Sequence, residues 1–203
     1  MKKPQILACA AVLLFGVQIA KAQVGIGTIN PTAQLTIDAG SSGIAPLELT
    51  NTSTAPTTNL NAGQLAVINN ELYYYEPNRG HWLSVTTIPI NFVRNGNVSN
   101  QNMYFGGRIT NQNAGAVMPK NGTIVHISAT SSGGNATKRF ELRVRNGGAN
   151  VSVTDINLVD NGLNDDTVDI DFSAGDNIAL RARDDGNGDI TNPSVILWIK
   201  WRE

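Results

Sequence analysis

Between Lys138 and Asn146 the chain reads KRFELRVRN, and apolar and charged residues alternate without a break. On an extended strand Phe140, Leu142 and Val144 share one side, and Arg139, Glu141, Arg143 and Arg145 share the other. A helix would scatter those apolar residues around its circumference, so the segment predicts a half-buried strand. The same period recurs in Thr167–Ser173, where Val168, Ile170 and Phe172 oppose Asp169 and Asp171. It recurs again where Ile178, Leu180 and Ala182 alternate with Arg181 and Arg183. Further strands are predicted at Asn91–Arg94, Met103–Phe105, Thr123–Thr130, Val151–Leu158 and Pro193–Arg202. Gly, Asn and Asp fill the gaps; 24 Asn and 20 Gly among 203 residues supply turn formers throughout. About eight strands in residues 91–203 predict an all-β, antiparallel two-sheet sandwich of jelly-roll type.

The last strand breaks the alternation. Val195, Leu197, Ile199 and Trp201 take one face, but Ile196 and Trp198 make the first half of the other face apolar too. A sandwich strand with one solvated face should not read this way. Either a loop covers Ile196 and Trp198 or an identical subunit does. Exposed apolar patches commonly mark interfaces, so a subunit contact through Ile196 and Trp198 is expected.

Residues 1–22, MKKPQILACAAVLLFGVQIAKA, carry Lys2 and Lys3, an apolar stretch from Ile6 to Ile19, and Ala20-Lys21-Ala22 before Gln23. That order predicts a cleaved export signal, and secretion or display on the outer cell surface. The apolar stretch is shorter than the roughly 20 residues a bilayer span needs, so no stable membrane span is expected after cleavage. Cleavage leaves residues 23–203, with 12 basic and 16 acidic residues and no cysteine. Stability must then come from burial without disulfides.

Residues 23–90 hold few charges and many turn residues. Short strands are predicted at Gln34–Ile37, Leu47–Thr50, Gln64–Ile68, Glu71–Tyr75 and His81–Val85. Asn69-Asn70 between two of them predicts a tight hairpin, since Asn tolerates positive φ. Such strands make a poor core alone. Packing of three chains is the favoured source of cover; folding back onto the head of the same chain is the alternative. The predicted organisation is thus a signal at 1–22, a fibre-like β segment at 23–90 and a head at 91–203.

Function is constrained mainly by exclusion. A net charge of −1 argues against nucleic-acid binding by bulk charge. One Cys and two His leave little for zinc, haem or thiol chemistry, so no catalytic residues or obligate cofactor are assigned. Asp185, Asn187 and Asp189 alternate as oxygen ligands to calcium can, yet the EF-hand pattern fails at Ile190 and Ile196, and a turn explains the run equally. Asp160, Asp165 and Asp166 form a second acidic loop. His126 lies in an apolar strand with no G-x-S-x-G nearby and reads as structural. Asp169 and Asp171 would stand about 7 Å apart on one strand face, a spacing that suits an inverting glycoside hydrolase. Tyr74 and Trp82, within an aromatic cluster with Tyr73 and Tyr75, are candidates for stacking on a sugar.

Three segments carry resemblances. Gln23–Gly40 contains Val24-Gly25-Ile26-Gly27-Thr28, Asn30-Pro31, Leu35 and Ile37. It resembles a module near the N-terminus of exported Bacteroidetes proteins and a repeat of phage tail fibres and bacterial surface fibres. Ala62–Val85, ending in Trp82-Leu83-Ser84-Val85, is similar to a hairpin stretch of tail-fibre-like proteins. Residues 91–203 resemble the trimeric jelly-roll heads of the tumour-necrosis-factor and complement superfamily. The carriers are Asn121–Ile124, Ile127-Ser128, Phe140–Arg145, Phe172–Asp176 and Val195–Trp201. These resemblances imply a homotrimeric, structural or adhesive surface protein that meets a glycan or protein ligand through its head. A carbohydrate-binding, calcium-dependent lectin-like module is the alternative, and a tail-spike-type glycan hydrolase the third.

Overall fold

The computed structural model describes residues 24–203 apart from 27, 31, 32, 34, 42, 112, 135–137 and 184–188. The export signal predicted at 1–22 lies outside the described residues, as do Gly27 and Pro31 of the N-terminal module. The described residues form an all-β protein without a helix. The division into compact units falls between Leu49 and Thr50. In the first unit, β1 (Val24–Ile26) pairs in parallel with β2 (Leu35–Ile37), and the Asp38 amide extends the ladder to the Ile26 carbonyl at 2.9 Å.

The second unit begins with a small sheet. Its strands are β3 (Leu65–Ile68), β4 (Glu71–Glu76) and β5 (His81–Ser84), with Asn51–Thr52 added in parallel to β3. Asn69 and Asn70 both take positive φ, 50° and 66°, so the tight hairpin expected there forms. No strand forms at Leu47–Thr50; pairing starts at Asn51, whose side chain accepts the Asn70 amide at 2.9 Å.

The head has two large sheets, besides a small one in which Ile190–Thr191 pairs with Gly133–Gly134 and Asn97–Val98. In the first, β6 (Ile88–Val93) and β7 (Gly122–Thr130) flank β13 (Ser194–Trp201). Tyr104–Phe105 and Arg108–Ile109 extend it beyond β6, while β10 (Gly162–Asp165) and β11 (Ile170–Phe172) both pair with β7. The second sheet runs from Ala116–Val117 through β12 (Asn177–Arg183) and β8 (Lys138–Asn146) to β9 (Ala149–Leu158). The alternation seen in the sequence sets which side chains meet. Phe140, Leu142 and Val144 stand opposite Ala182, Leu180 and Ile178 on the inner face of the second sheet. They join Phe92, Ile124, Ile127, Val195, Leu197 and Ile199 of the first sheet in one buried cluster, the core of a β-sandwich.

Thr167–Ser173 is strand only over Ile170–Phe172. The Asp165 carboxylate accepts both the Thr167 amide (2.9 Å) and its hydroxyl (2.7 Å), a local turn that competes with the ladder.

The small sheet lies against the end of β13. Trp201 packs on the cluster of Ile68, Tyr73 and Trp82, its amide donates to the Ser84 hydroxyl at 3.0 Å, and Leu83 bridges to Arg202. For residues 23–90 the sequence reading favoured cover by sister chains, with folding back onto the chain's own head as the alternative. In the small sheet the chain's own terminal strand supplies cover for the Ile68, Tyr73 and Trp82 cluster, because Trp201 carries an apolar ring past the edge of the sandwich.

Tyr73 is buried and its hydroxyl donates to Glu71 at 3.3 Å. Burial first, then the charges of Glu71 and Glu203, push its ionisation well above the ordinary 10.0. Burial and Glu76 push Tyr74 the same way. A raised folded-state pKa means that the fold holds the neutral phenol. The stability this contributes is complete below the unfolded pKa and is lost as pH rises beyond it. Melting temperature should therefore stay level to about pH 9 and fall above about pH 10, and Tyr73→Phe should flatten part of that fall. Thermal melts against pH test this; equal alkaline loss in both proteins would remove Tyr73 as its source.

Candidate functional site

The outer face of the first sheet carries the residues that broke the alternation. In register across it, Pro89, Trp198 and His126 form one row, and Asn91, Ile196, Ser128 and Asn164 form the next. A register shift between Ile124 and His126 marks a bulge at Val125, which turns its carbonyl away from the ladder. Arg79 reaches over from the turn before β5 and uses that carbonyl. Its Nη2 donates to the carbonyls of Val168 (2.9 Å), Asp166 (3.2 Å) and Val125 (3.3 Å), and its Nε lies 3.6 Å from Asp169. Lys200 donates to the carbonyls of Ser84 (2.9 Å) and Val85 (3.2 Å) and sits 5.3 Å from the centre of the Tyr74 ring. Burial lowers the Lys200 pKa.

These residues leave an open groove of about 510 Å³ lined by Tyr74, Arg79, Val125, His126, Trp198 and Lys200. Trp198 and Ile196 are half-buried: neither sealed inside the single chain nor bare to water. Trp198 meets the His126 ring edge-on at 6.2 Å, and its indole N–H donates to the Ser128 hydroxyl at 3.2 Å. His126 Nε2 lies 3.1 Å from that hydroxyl and 2.7 Å from Asn164 Oδ1. Both contacts fall on one ring nitrogen. A serine–histidine relay needs its orienting group on the other, so the trio is wired as a structural network.

The remaining candidates separate. Trp82 is 4% exposed, packs on Ile68 and Tyr73, and gives its N–H to the Pro56 carbonyl at 2.9 Å. It is core and offers no ring face to a sugar, whereas Tyr74 does line the groove. Asp171 is held by the Thr123 hydroxyl (2.6 Å), His81 (3.2 Å) and Arg202 (3.2 Å), and Asp169 faces Arg79. The two carboxylates thus serve cationic partners at the junction with the small sheet. Asp185 and Asn187 lie outside the described residues; Asp189 is half-buried. Among the described residues no three His, Cys, Asp or Glu gather as a metal site would require.

Arg79 and Lys200 escaped the sequence reading. Their partners are backbone carbonyls, which leave no mark in the residue pattern. Compared with protein-family models, curated proteins and solved structures, the chain finds no match.

Proposed function

We propose that this chain is an exported structural or adhesive protein whose jelly-roll head assembles as a homotrimer and binds a surface glycan or protein ligand through its grooves and loops, without catalysis. The observation that carries the reading is the outer face of the first sheet. Ile109, Tyr104 and Val93 form one cross-strand row beside the rows of Ile196 and Trp198. Val93 remains 47% exposed and Ile109 42%, on a face that a lone sandwich would be expected to make polar. Sister subunits seated on this face would bury it, and closed symmetry would bury the same patch on every copy. The strand order supports the jelly-roll element of the proposal: β6, the first long head strand, lies beside β13, the last. Successive strands also divide between the two sheets as a rolled pair of Greek keys requires.

Light scattering on residues 23–203 is expected to give three times the chain mass at micromolar concentration, and Ile196→Arg to return the monomer. A monomeric parent protein would end the trimer reading. A second reading, a carbohydrate-binding module, is favoured by the Tyr74 and Trp198 rings in one groove. Binding on a glycan array that Trp198→Ala and Tyr74→Ala both abolish would favour it. The calcium-dependent form of that reading rests on Asp185, Asn187 and Asp189 and requires a thermal shift with calcium that chelator reverses.

A further inference from the structure

The opposite side of the sandwich has a different chemistry. On the outer face of the second sheet, β8 and β12 set Glu141 beside Arg181, Arg143 beside Ala179 and Arg145 beside Asn177. Ala179 is the one small side chain in that ladder, and the surface dips over it. The dip is a cleft of about 370 Å³, lined by Arg143, Arg145 and Arg181 from the sheet, with Asn102, Arg108 and Asn111 around them.

The charges in this cleft do not balance. Glu141 binds the Nε and Nη2 of Arg143 and lies 3.6 Å from Arg183, so it is already engaged. Asp155 is engaged by Arg139. Among the described residues no carboxylate pairs with Arg108, Arg145 or Arg181. Arg181 is aimed by the Asn100 carbonyl, which accepts from its Nη2 at 3.0 Å and its Nε at 3.3 Å. Arg145 is only 6% exposed, and its buried Nε has no hydrogen-bond partner. Its cross-strand neighbour Asn177 carries a second buried orphan, Oδ1. Natural proteins rarely leave such groups unmet, and a buried guanidinium without an anion is the costliest kind. Burial, and then the neighbouring Arg143, lower the Arg145 pKa, and Glu141 offsets only part of this.

We propose that this cleft binds an acidic sugar, with its carboxylate or sulfate ester held among Arg108, Arg145 and Arg181 and its hydroxyls met by the Asn102 and Asn111 amides. Guanidinium forks match planar oxyanions, and amides both donate and accept, as hydroxyls require. A cleft of this size takes one sugar unit and offers no track for a nucleic-acid backbone. The site deepens the reading of the head as a binding module and rests on it, but it lies on the sheet that the proposed trimer leaves free.

The test is calorimetric titration of residues 23–203 at low ionic strength with glucuronate, glucose 6-sulfate, glucose and sodium sulfate. One or both charged sugars should bind, the stronger naming the anion, and glucose should not. Sodium sulfate should bind at least about tenfold more weakly than the better sugar, and added salt should weaken all charged ligands. Arg108→Gln with Arg181→Gln should cost about tenfold or more. Arg145→Met removes a buried charge and so changes stability as well as the cleft; Ala179→Leu, which fills the dip, therefore serves as the second variant and should abolish binding. Equal binding of glucose, equal binding of bare sulfate, or undiminished binding by either variant would overturn the site. Glycan-array binding with no affinity for charged sugars would overturn this cleft alone; binding to nothing at all would overturn the module reading with it.

Discussion

Replacing Phe140 by alanine is expected to destabilise the protein by about 3–5 kcal/mol, the range for deleting a buried aromatic ring. Phe140 is fully buried in the first half of β8, the strand that β9 and β12 enclose. Its cross-strand partners are Ile156 on one side and Ala182 on the other. Because Ala182 is small, the phenyl ring occupies the space above it. Ladders on both sides hold the backbone, so the walls cannot close over the void and its cost remains. For a chain of this size each kcal/mol lowers the melting point by about 2–4 °C, so the variant should melt roughly 6–20 °C early. Urea and thermal unfolding would measure it. A loss below about 1 kcal/mol would mean that the core repacks more freely than its geometry implies.

Arg79→Met should cost about 2–4 kcal/mol. The stem is kept and the fork is lost, leaving the carbonyls of Val125, Asp166 and Val168 without their shared donor. Hydrogen bonds from a charged group to part-buried carbonyls contribute about 1.5–3 kcal/mol, and unmet carbonyls add their desolvation. The ion pair with Asp169 adds little, because that carboxylate is 44% exposed. Arg79→Lys should recover only part of the loss, since the lysine ammonium ends one bond short of the Nη2 that meets the three carbonyls. Amide exchange would localise the effect. Protection should fall around the Val125 bulge and Asp166–Val168 while the inner strands β8 and β12 keep theirs. Unchanged melts for Arg79→Met would show that the other contacts at this junction, from Trp201, Lys200, Arg202 and Asp171, hold the small sheet without it.

The fold was legible where local pattern and tertiary demand coincide. Phe140, Leu142 and Val144 needed one side of a strand, and the sandwich gave them one. Asn69-Asn70 announced a turn that only residues tolerant of positive φ can make cheaply. The pattern misled at Val168, whose alternation with Ile170 predicted strand while Asp165 captured the Thr167 amide in a turn. The candidate site was legible in halves. The double-sided apolar character of β13 picked out Ile196 and Trp198 from sequence alone. Trp82 looked like a free aromatic because nothing local reveals that Trp201, more than a hundred positions later, will close over its cluster. The arginines of β8 and β12 read as an ordinary solvated face. Their convergence appears only when Arg108 is brought in from the Tyr104–Ile109 hairpin and Ala179 leaves room beneath it.

The place of β13 between β6 and β7 has a further consequence. A nascent polypeptide leaving the ribosome would expose β6, and later β7, until its last residues are made, each with an unclaimed edge that another molecule could occupy. Neither edge can be satisfied until Ser194–Trp201 emerges, so the principal sheet must form after translation, by contacts spanning nearly the whole head. A ribosome halted before those eight residues would release a chain with an aggregation-prone gap where its central rung belongs.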